Sequence, residues 1–385
     1  MTRVTHKKLR IGIDARLSGD RHAGIGRYIQ NLLIQLNNLS PNNIQLIFFF
    51  HDQQQEKSLA KNLKKSKNYA SVFAPIRHYS FAEQTKWPVI LNKHQLDLLH
   101  VPHFNIPLLY KGKLVITIHD LLWHEQIGPE ATTLSTSKYY LKYLAYRLVT
   151  SQALARAKTV FVPTNTVKQA LANYKPQLKP KIVTTYEGIS EPFLKIFKNL
   201  SQQPEKAFKK SFDLSLIYVG SLYPHKNIEI VLQTLKQMPE LKLTIVCARN
   251  VFMKRTQQRI KKLNLTKQVT LTGFLADKEL ITKIQSSLAL IQPSKSEGFG
   301  LTAIEAMAVG TPVIASNLKV FKELYLDAPL YFNPNDAQQL KKQILQLQQD
   351  SIRKQHIKRG LRISKKYSWA KMAQTTLDHY LSILN

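Results

Sequence analysis

Ser294-Lys-Ser-Glu-Gly-Phe-Gly-Leu-Thr-Ala-Ile-Glu-Ala-Met-Ala-Val-Gly-Thr-Pro-Val-Ile-Ala-Ser316 reads as a strand end, a glycine loop, a helix, a glycine stop and a new strand. The apolar run Leu288-Ala-Leu-Ile-Gln292 before it is short enough for a buried strand. Gly298 and Gly300 bracket Phe299, and neither carries a Cβ, so the backbone here can approach a ligand closely. Leu301 to Val309 is helix-forming and mostly apolar, and Gly310 followed by Pro312 ends it. Amides at such a helix start are unpaired and carry partial positive charge, which suits a phosphate. Two acids stand in this apolar setting. Glu297 lies in the loop, and Glu305 lies about one turn inside the helix. A lone glutamate on a helix is usually solvated; the combination of loop, helix and two acids is more specific.

Working outward, 385 residues are enough for two domains, and 44% hydrophobic residues are enough for substantial cores. The single cysteine, Cys247, lies in an apolar run and reads as a buried strand thiol; no internal disulfide can form. The formal net charge of +32 bears on partners and solubility, not on fold. The lysines are spread over Lys57 to Lys67, Lys175 to Lys181, Lys195 to Lys210, Lys254 to Lys267 and Lys341 to Lys366, where the plain reading is a solvated face. So wide a distribution, without zinc-finger spacing or a basic zipper, argues against a nucleic-acid reader. No run approaches the roughly eighteen apolar residues of a membrane span. Met1 to Arg10 is polar and basic, unlike a signal peptide. The expectation is a cytoplasmic chain, peripheral on the inner membrane face if it meets a membrane.

The first half alternates strands and helices, which predicts a doubly wound α/β sheet. Leu9 to Ala15 is a strand, and Gly24-Ile-Gly-Arg-Tyr28 opens a helix running to about Leu39 with Ile25, Ile29, Leu32, Leu33 and Leu36 at helical spacing. Ile29 stands where a dinucleotide fingerprint has its third glycine, so NAD is disfavoured. Gln53 to Asn68 is lysine-rich and predicted helical; Tyr69, Phe73, Tyr79, Phe81 and Trp87 follow as either a surface or core aromatics. Leu114-Val-Ile-Thr-Ile-His-Asp120 is a central strand ending in His119, and strand ends are where open α/β sheets bind ligands. His100, His103, His119 and His124 lack the spacing and the cysteines of a metal site, so no metal is expected. Glu191 to Phe212 reads as a linker. Leu214 to Gly220 starts a second sheet, with Ser221-Leu-Tyr-Pro-His-Lys-Asn227 as its loop, and the chain ends in helices from Asp336. The predicted domains are 1–190, a linker 191–212, 213–365, and a final helix 366–385.

These motifs together resemble the retaining glycosyltransferases of family 4, which have the GT-B fold: two Rossmann-like domains facing a cleft, with the last helix crossing back to the first domain. The resemblance covers nearly the whole chain, strongest over 220–316 and weakest over 51–97, where acceptor specificity is expected. It implies a nucleotide-sugar donor and no cofactor. It assigns Lys226 to the diphosphate, with Ser221, His225, Gly298, Phe299, Gly300 and Leu301 around it. His225 stands where the family usually has arginine. Glu305 would take the ribose hydroxyls, Glu297 the transferred sugar, and His119 the sugar from the first domain, where Gly24 and Gly26 form the glycine loop. The sequence has no Asp-x-Asp, so protein cations and helix amides must meet the leaving charge.

The pattern of Asp14, Gly24 to Tyr28, His119-Asp120 and Tyr218-Val-Gly-Ser221 looks most like bacterial mannosyltransferases, so GDP-mannose is the lead donor. UDP-glucose or a UDP-N-acetylhexosamine is the alternative. The implied acceptor is a saccharide or lipid-linked saccharide of cell-envelope polysaccharide or lipopolysaccharide synthesis, with an anionic membrane surface as an added partner for the lysines. Two further readings are an epimerase or phosphorylase of the same architecture, and a non-enzymatic binder of nucleic acid or anionic surfaces.

Overall fold

A computed structural model describes residues 8–19, 23–61, 63, 68–121, 136–208, 212–247 and 252–385. His124 lies outside them. The chain divides into two compact units, Met1–Tyr186 with Trp369–Asn385, and Glu187–Ser368.

The first unit is built on a parallel sheet of β1 (Leu9–Asp14), β2 (Ile44–Phe50), β3 (Tyr69–Phe73), β4 (Leu98–Val101), β5 (Leu114–Thr117), β6 (Val160–Val162) and β7 (Ile182–Thr184), in the order β3-β2-β1-β4-β5-β6-β7. Ile11 of β1 pairs with Leu46 on one side and Leu98 on the other. The strand order reverses between β1 and β4, and open sheets bind ligands at the carboxyl ends beside such a reversal. Ile29, Leu32, Leu33 and Leu36 are buried on helix Ala23–Leu39, as their periodicity predicts.

The helix expected over 53–68 stops at Ala60. Strand β3 follows and pairs along β2, with Tyr69 stacked on Phe48. Trp87 is fully buried edge-on against Phe49, so it belongs to the core and not to a surface. Phe73, Tyr79 and Phe81 are exposed.

Helix Trp369–Leu384 belongs to this first unit, packing against helix Ala23–Leu39 and burying Trp369, Met372, Leu377 and Tyr380.

The second unit has a parallel sheet of β8 (Asp213–Val219), β9 (Lys242–Val246), β10 (Val269–Gly273), β11 (Ser287–Gln292), β12 (Val313–Ser316) and β13 (Leu330–Phe332), in the order β10-β9-β8-β11-β12-β13. Every residue of β11 is buried, as a strand covered on both faces requires. The order reverses between β8 and β11, which sets the loop after β8 beside the loop after β11. Cys247 is buried after β9.

Among the described residues of the stretch read as a linker, Glu191–Gln202 and Glu205–Phe208 are helices with buried residues. Helix Glu191–Gln202 buries Phe193, Phe197 and Leu200 and packs on helix Leu301–Ala308 within the second unit. These three residues lie at helical spacing. Pro192 falls in the first turn, where its missing N–H loses nothing, and Pro204 comes after the helix has ended. Pro192 and Pro204 thus flank a short amphipathic helix without interrupting it.

Candidate functional site

The loop after β8 is held in a fixed shape. Pro224–Lys226 forms one 3-10 turn, and Asn227 follows with a left-handed φ of 57°. A non-glycine residue accepts that conformation when its side chain is anchored. Asn227 Nδ2 donates to the Pro293 carbonyl at 3.0 Å and the Pro334 carbonyl at 2.8 Å. The amide of Lys295 donates to the His225 carbonyl at 2.7 Å, so the loops after β8 and β11 are joined backbone to backbone.

That junction brings Lys226 to Glu297. The ammonium lies 2.6 Å from Glu297 Oε1, with the two side chains 19% and 11% exposed. The same oxygen accepts from the Ser294 hydroxyl at 2.9 Å and from Gln292 Nε2 at 3.2 Å. Gln292 is itself oriented by Thr302, whose hydroxyl donates to its Oε1 at 3.1 Å. Burial works to raise the Glu297 pKa, but the Lys226 ammonium and the Ser294 hydroxyl hold it below the ordinary carboxylate range. Glu297 is therefore an anion at neutral pH and holds Lys226 in place.

Helix Leu301–Ala308 begins at Gly300, whose φ is +94°. A Cβ there would lie 2.1 Å from the Tyr325 hydroxyl, and that hydroxyl donates to the Gly300 carbonyl at 2.7 Å. Both the dihedral and the close approach demand glycine. Phe299 is buried edge-on against Tyr367. Leu301 is buried in the first turn of the helix. Glu305, in the same helix, is 1% exposed and accepts from the Ser190 hydroxyl at 2.6 Å. Ser190 immediately precedes helix Glu191–Gln202.

His225 is stacked on Tyr223, and burial, reinforced by Lys226, pushes its pKa down to about 4. It is neutral at pH 7 and adds no charge beside Lys226. The carbonyl of Ser221 accepts from the buried Tyr218 hydroxyl, which fixes the start of the loop.

In the first unit, His119 follows β5 and is half-buried. Its Nε2 bonds the Pro102 carbonyl at 3.1 Å, and a carbonyl only accepts, so Nε2 carries the hydrogen. The ring meets Tyr28 edge-on at 4.7 Å. Tyr28 is held in turn by Thr117 at 3.2 Å, and Thr117 by His100 at 2.9 Å. His100 bonds Tyr380 of the last helix, and burial drives its pKa down to about 3. This imidazole is a neutral core group and not a metal ligand. Gly26 packs where a Cβ would strike the Gly19 carbonyl, whereas Gly24 faces open space. Among the described residues, no three His, Cys, Asp or Glu side chains gather to hold a metal ion.

Lys226, Glu297 and Gly298 to Leu301 thus come together in the second unit, with His225 and Ser221 in the same loop system and Glu305 further along the helix. Gln292, Ser294, Thr302, Ser190 and Tyr325 escaped the sequence reading. Gln292 left one sign: it is the one amide side chain of the apolar strand β11. The others depend on partners distant in sequence.

The second unit thus sets a lysine–glutamate pair beside a glycine-led helix start, whose unpaired amides are chemically suited to an anionic group. Residues 22–191 match the model of the Glycosyltransferase Family 4 domain, and residues 201–362 match that of Glycosyl transferases group 1. The chain belongs to this family of glycosyltransferases. It is 28% identical over 289 residues to the O-antigen chain mannosyltransferase RfbU of Salmonella typhimurium, covering 75% of each chain. It is 24% identical to O-antigen chain mannosyltransferase B of Escherichia coli, over 93% of this chain and 95% of that one. Among solved structures, it resembles Alr3699/HepE of Anabaena in complex with UDP-glucose, with a TM-score of 0.71, 18% identity, and 97% and 100% of the chains covered. The two doubly wound units are those of the GT-B fold.

Proposed function

We propose that this chain is a retaining hexosyltransferase that moves mannose from GDP-mannose to a saccharide or lipid-linked saccharide acceptor in the synthesis of cell-envelope polysaccharide or lipopolysaccharide. The observation that carries the reading is the Lys226–Glu297 pair, clamped by Ser294 and Gln292 at the start of a glycine-led helix. The two O-antigen mannosyltransferase relatives support the choice of sugar.

In this mechanism Lys226 and the amides of Gly298 to Leu301 stabilise the diphosphate as the glycosidic bond breaks, a task other transferases give to a metal. Glu297 contacts the transferred sugar. Glu305, steadied by Ser190, takes the ribose hydroxyls, and His119 is assigned to the sugar. The acceptor hydroxyl attacks from the face the diphosphate leaves, and a phosphate oxygen takes its proton, so the anomeric configuration is retained.

A UDP-hexose is the second donor reading, favoured by the UDP-glucose complex of the Anabaena neighbour. A donor panel with mass detection of products separates the two. Transfer from GDP-mannose above all other donors is the expected result. No transfer or hydrolysis of any hexose donor, by protein that is folded, overturns the whole reading.

A further inference from the structure

Tyr79 lies between β3 and helix Phe81–Lys93 of the first unit and holds a left-handed φ of 60°. For a bulky residue this is an outlier, and such strain persists only where the surroundings impose it. Glu83, in the first turn of the helix, reaches back and accepts from the Tyr79 amide at 2.7 Å. Glu83 is fixed in turn by Arg16 at 2.8 Å and by Asn105 Nδ2 at 2.5 Å, and its side chain is fully buried. A buried ion cluster thus sets the backbone of a residue whose own side chain is 61% exposed. The strained conformation does not bury the ring; it presents it.

The ring has a defined setting. It meets His103 edge-on at 6.0 Å and Phe104 at a tilt at 6.2 Å. The amide of Asn105 donates to His103 Nδ1 at 3.3 Å, so the hydrogen of that imidazole sits on Nε2. Nε2 lies 3.4 Å from the Tyr79 hydroxyl oxygen and is therefore the donor of that pair. The hydroxyl keeps its own hydrogen to donate elsewhere. His103 directly follows Pro102, whose carbonyl accepts from His119. Tyr79 therefore stands past the carboxyl end of β4, beside the segment that orients the histidine assigned to the transferred sugar.

We propose that Tyr79 is a preset platform for a pyranose ring of the acceptor, stacking on the C–H face of the sugar and donating its hydroxyl hydrogen to a sugar hydroxyl, with Glu83 as the positioning residue. A pyranose has an apolar face and a polar rim, and a tyrosine offers the same two characters side by side. A platform fixed before binding spares the cost of ordering it on binding, which is what a strained backbone clamped by Glu83 provides. The enclosed Arg16 cluster thereby gains a use at the surface: it sets the ring without touching the sugar.

This role rests on the saccharide-acceptor reading, but its test measures binding without donor or transfer, so the two fail separately. The full chain is titrated with methyl α-mannopyranoside, methyl β-galactopyranoside and the methyl glycoside of N-acetylglucosamine, with guanosine monophosphate as a control. Saturation-transfer NMR with irradiation of the aromatic protons reads the contact. Transfer to the ring protons of at least one glycoside is expected. Tyr79→Gly should fold as stably as wild type, because glycine accepts this φ without steric cost, and should bind that glycoside about tenfold more weakly. Tyr79→Phe keeps the stacking face and loses the donor, so its affinity should lie between the two. A merely structural tyrosine would give the opposite pattern, with stability lost and binding kept. No transfer to any glycoside from the wild-type chain, or equal binding by folded Tyr79→Gly, overturns the proposal. Transfer to guanosine monophosphate alone, lost in Tyr79→Gly, overturns it in favour of a nucleotide base.

Discussion

Each unit carries a cation–carboxylate pair just past a strand of its sheet, and the two pairs are built for different ends. In the first unit Arg16 bonds Asp14 at 2.7 Å and Glu83 at 2.8 Å, and the three side chains are 0%, 2% and 0% exposed. The guanidinium also lies over Trp87 at 4.4 Å and donates to the Ile76 carbonyl. Glu83 takes further bonds from Asn105 and from the amide of Tyr79. The Arg16 head group is enclosed by protein partners, so nothing else can use its charge. Lys226 and Glu297 in the second unit form a pair of the same chemistry that keeps a path to solvent. A lysine ammonium is also a compact charge that can turn from carboxylate to phosphate, while a guanidinium fork is committed to its partners. Burial, partner number and residue type together separate the enclosed ion cluster of the first unit from the solvent-reaching pair of the second.

The largest expected break in this comparison is Arg16→Met. It strands two buried carboxylates and should cost about 3–5 kcal/mol of stability. Denaturant unfolding checks it, and a loss under about 1 kcal/mol would show that the cluster holds nothing together. Lys226→Ala should do the reverse. The melting transition should fall far less than in Arg16→Met, because Glu297 keeps its bonds from Ser294 and Gln292, while kcat/KM falls about 100- to 1000-fold as the diphosphate loses its cation. If activity survives and folding fails, the roles assigned to the two pairs are exchanged.

Acid should act on both units. Asp14, Glu83 and Glu297 all have folded pKa values held below the ordinary range against the effect of burial, by Arg16 for Asp14, by His78 and Arg16 for Glu83, and by Lys226 for Glu297. Their stabilisation is present above the unfolded carboxylate pKa and is lost as pH falls through the folded values. His225 and His100, pushed to about 4 and about 3, favour the neutral ring in the fold. Their contribution is complete above the ordinary histidine value of 6.5 and declines as pH falls below it. Melting temperature should therefore start to drop below neutral pH, before the carboxylates titrate. His100→Asn should remove part of that early slope, and an unchanged slope would rule out His100 as its source.

Smaller effects sharpen the donor side. Ser190→Ala removes one hydrogen bond to Glu305 and should raise the donor KM about tenfold with little change in kcat, the size expected for a bond to a charged group. A fall in kcat alone would move Glu305 away from ribose binding. His225→Arg should change kcat/KM by only a few-fold, since the present neutral ring already leaves the work to Lys226. A gain of 100-fold would mean that the site lacks charge.

Much of this was legible along the chain. Helix Ala23–Leu39 and the buried β11 follow from period and composition, because a helix or a covered strand needs only local pattern. The glycine stop at Gly310 is local too. The aromatic run from Tyr69 to Trp87 is less readable: alternation does not say which sheet edge is covered, so the sequence leaves surface and core both open for an edge strand and a core tryptophan. Helix Glu191–Gln202 was obscured because its prolines flank the buried stripe of Phe193, Phe197 and Leu200.

What the sequence determined by itself was the pair of doubly wound units and the family resemblance, since strands, loops and glycine turns are written in consecutive residues. Only the tertiary structure decided which polar groups meet. Lys226 and Glu297 stand 71 residues apart, Ser190 and Glu305 115 apart. The first pair meets because β8 and β11 pair in parallel and both loops leave the same sheet end, the second because helix Glu191–Gln202 packs on helix Leu301–Ala308. The neutrality of His225 likewise comes from burial, which no residue name records.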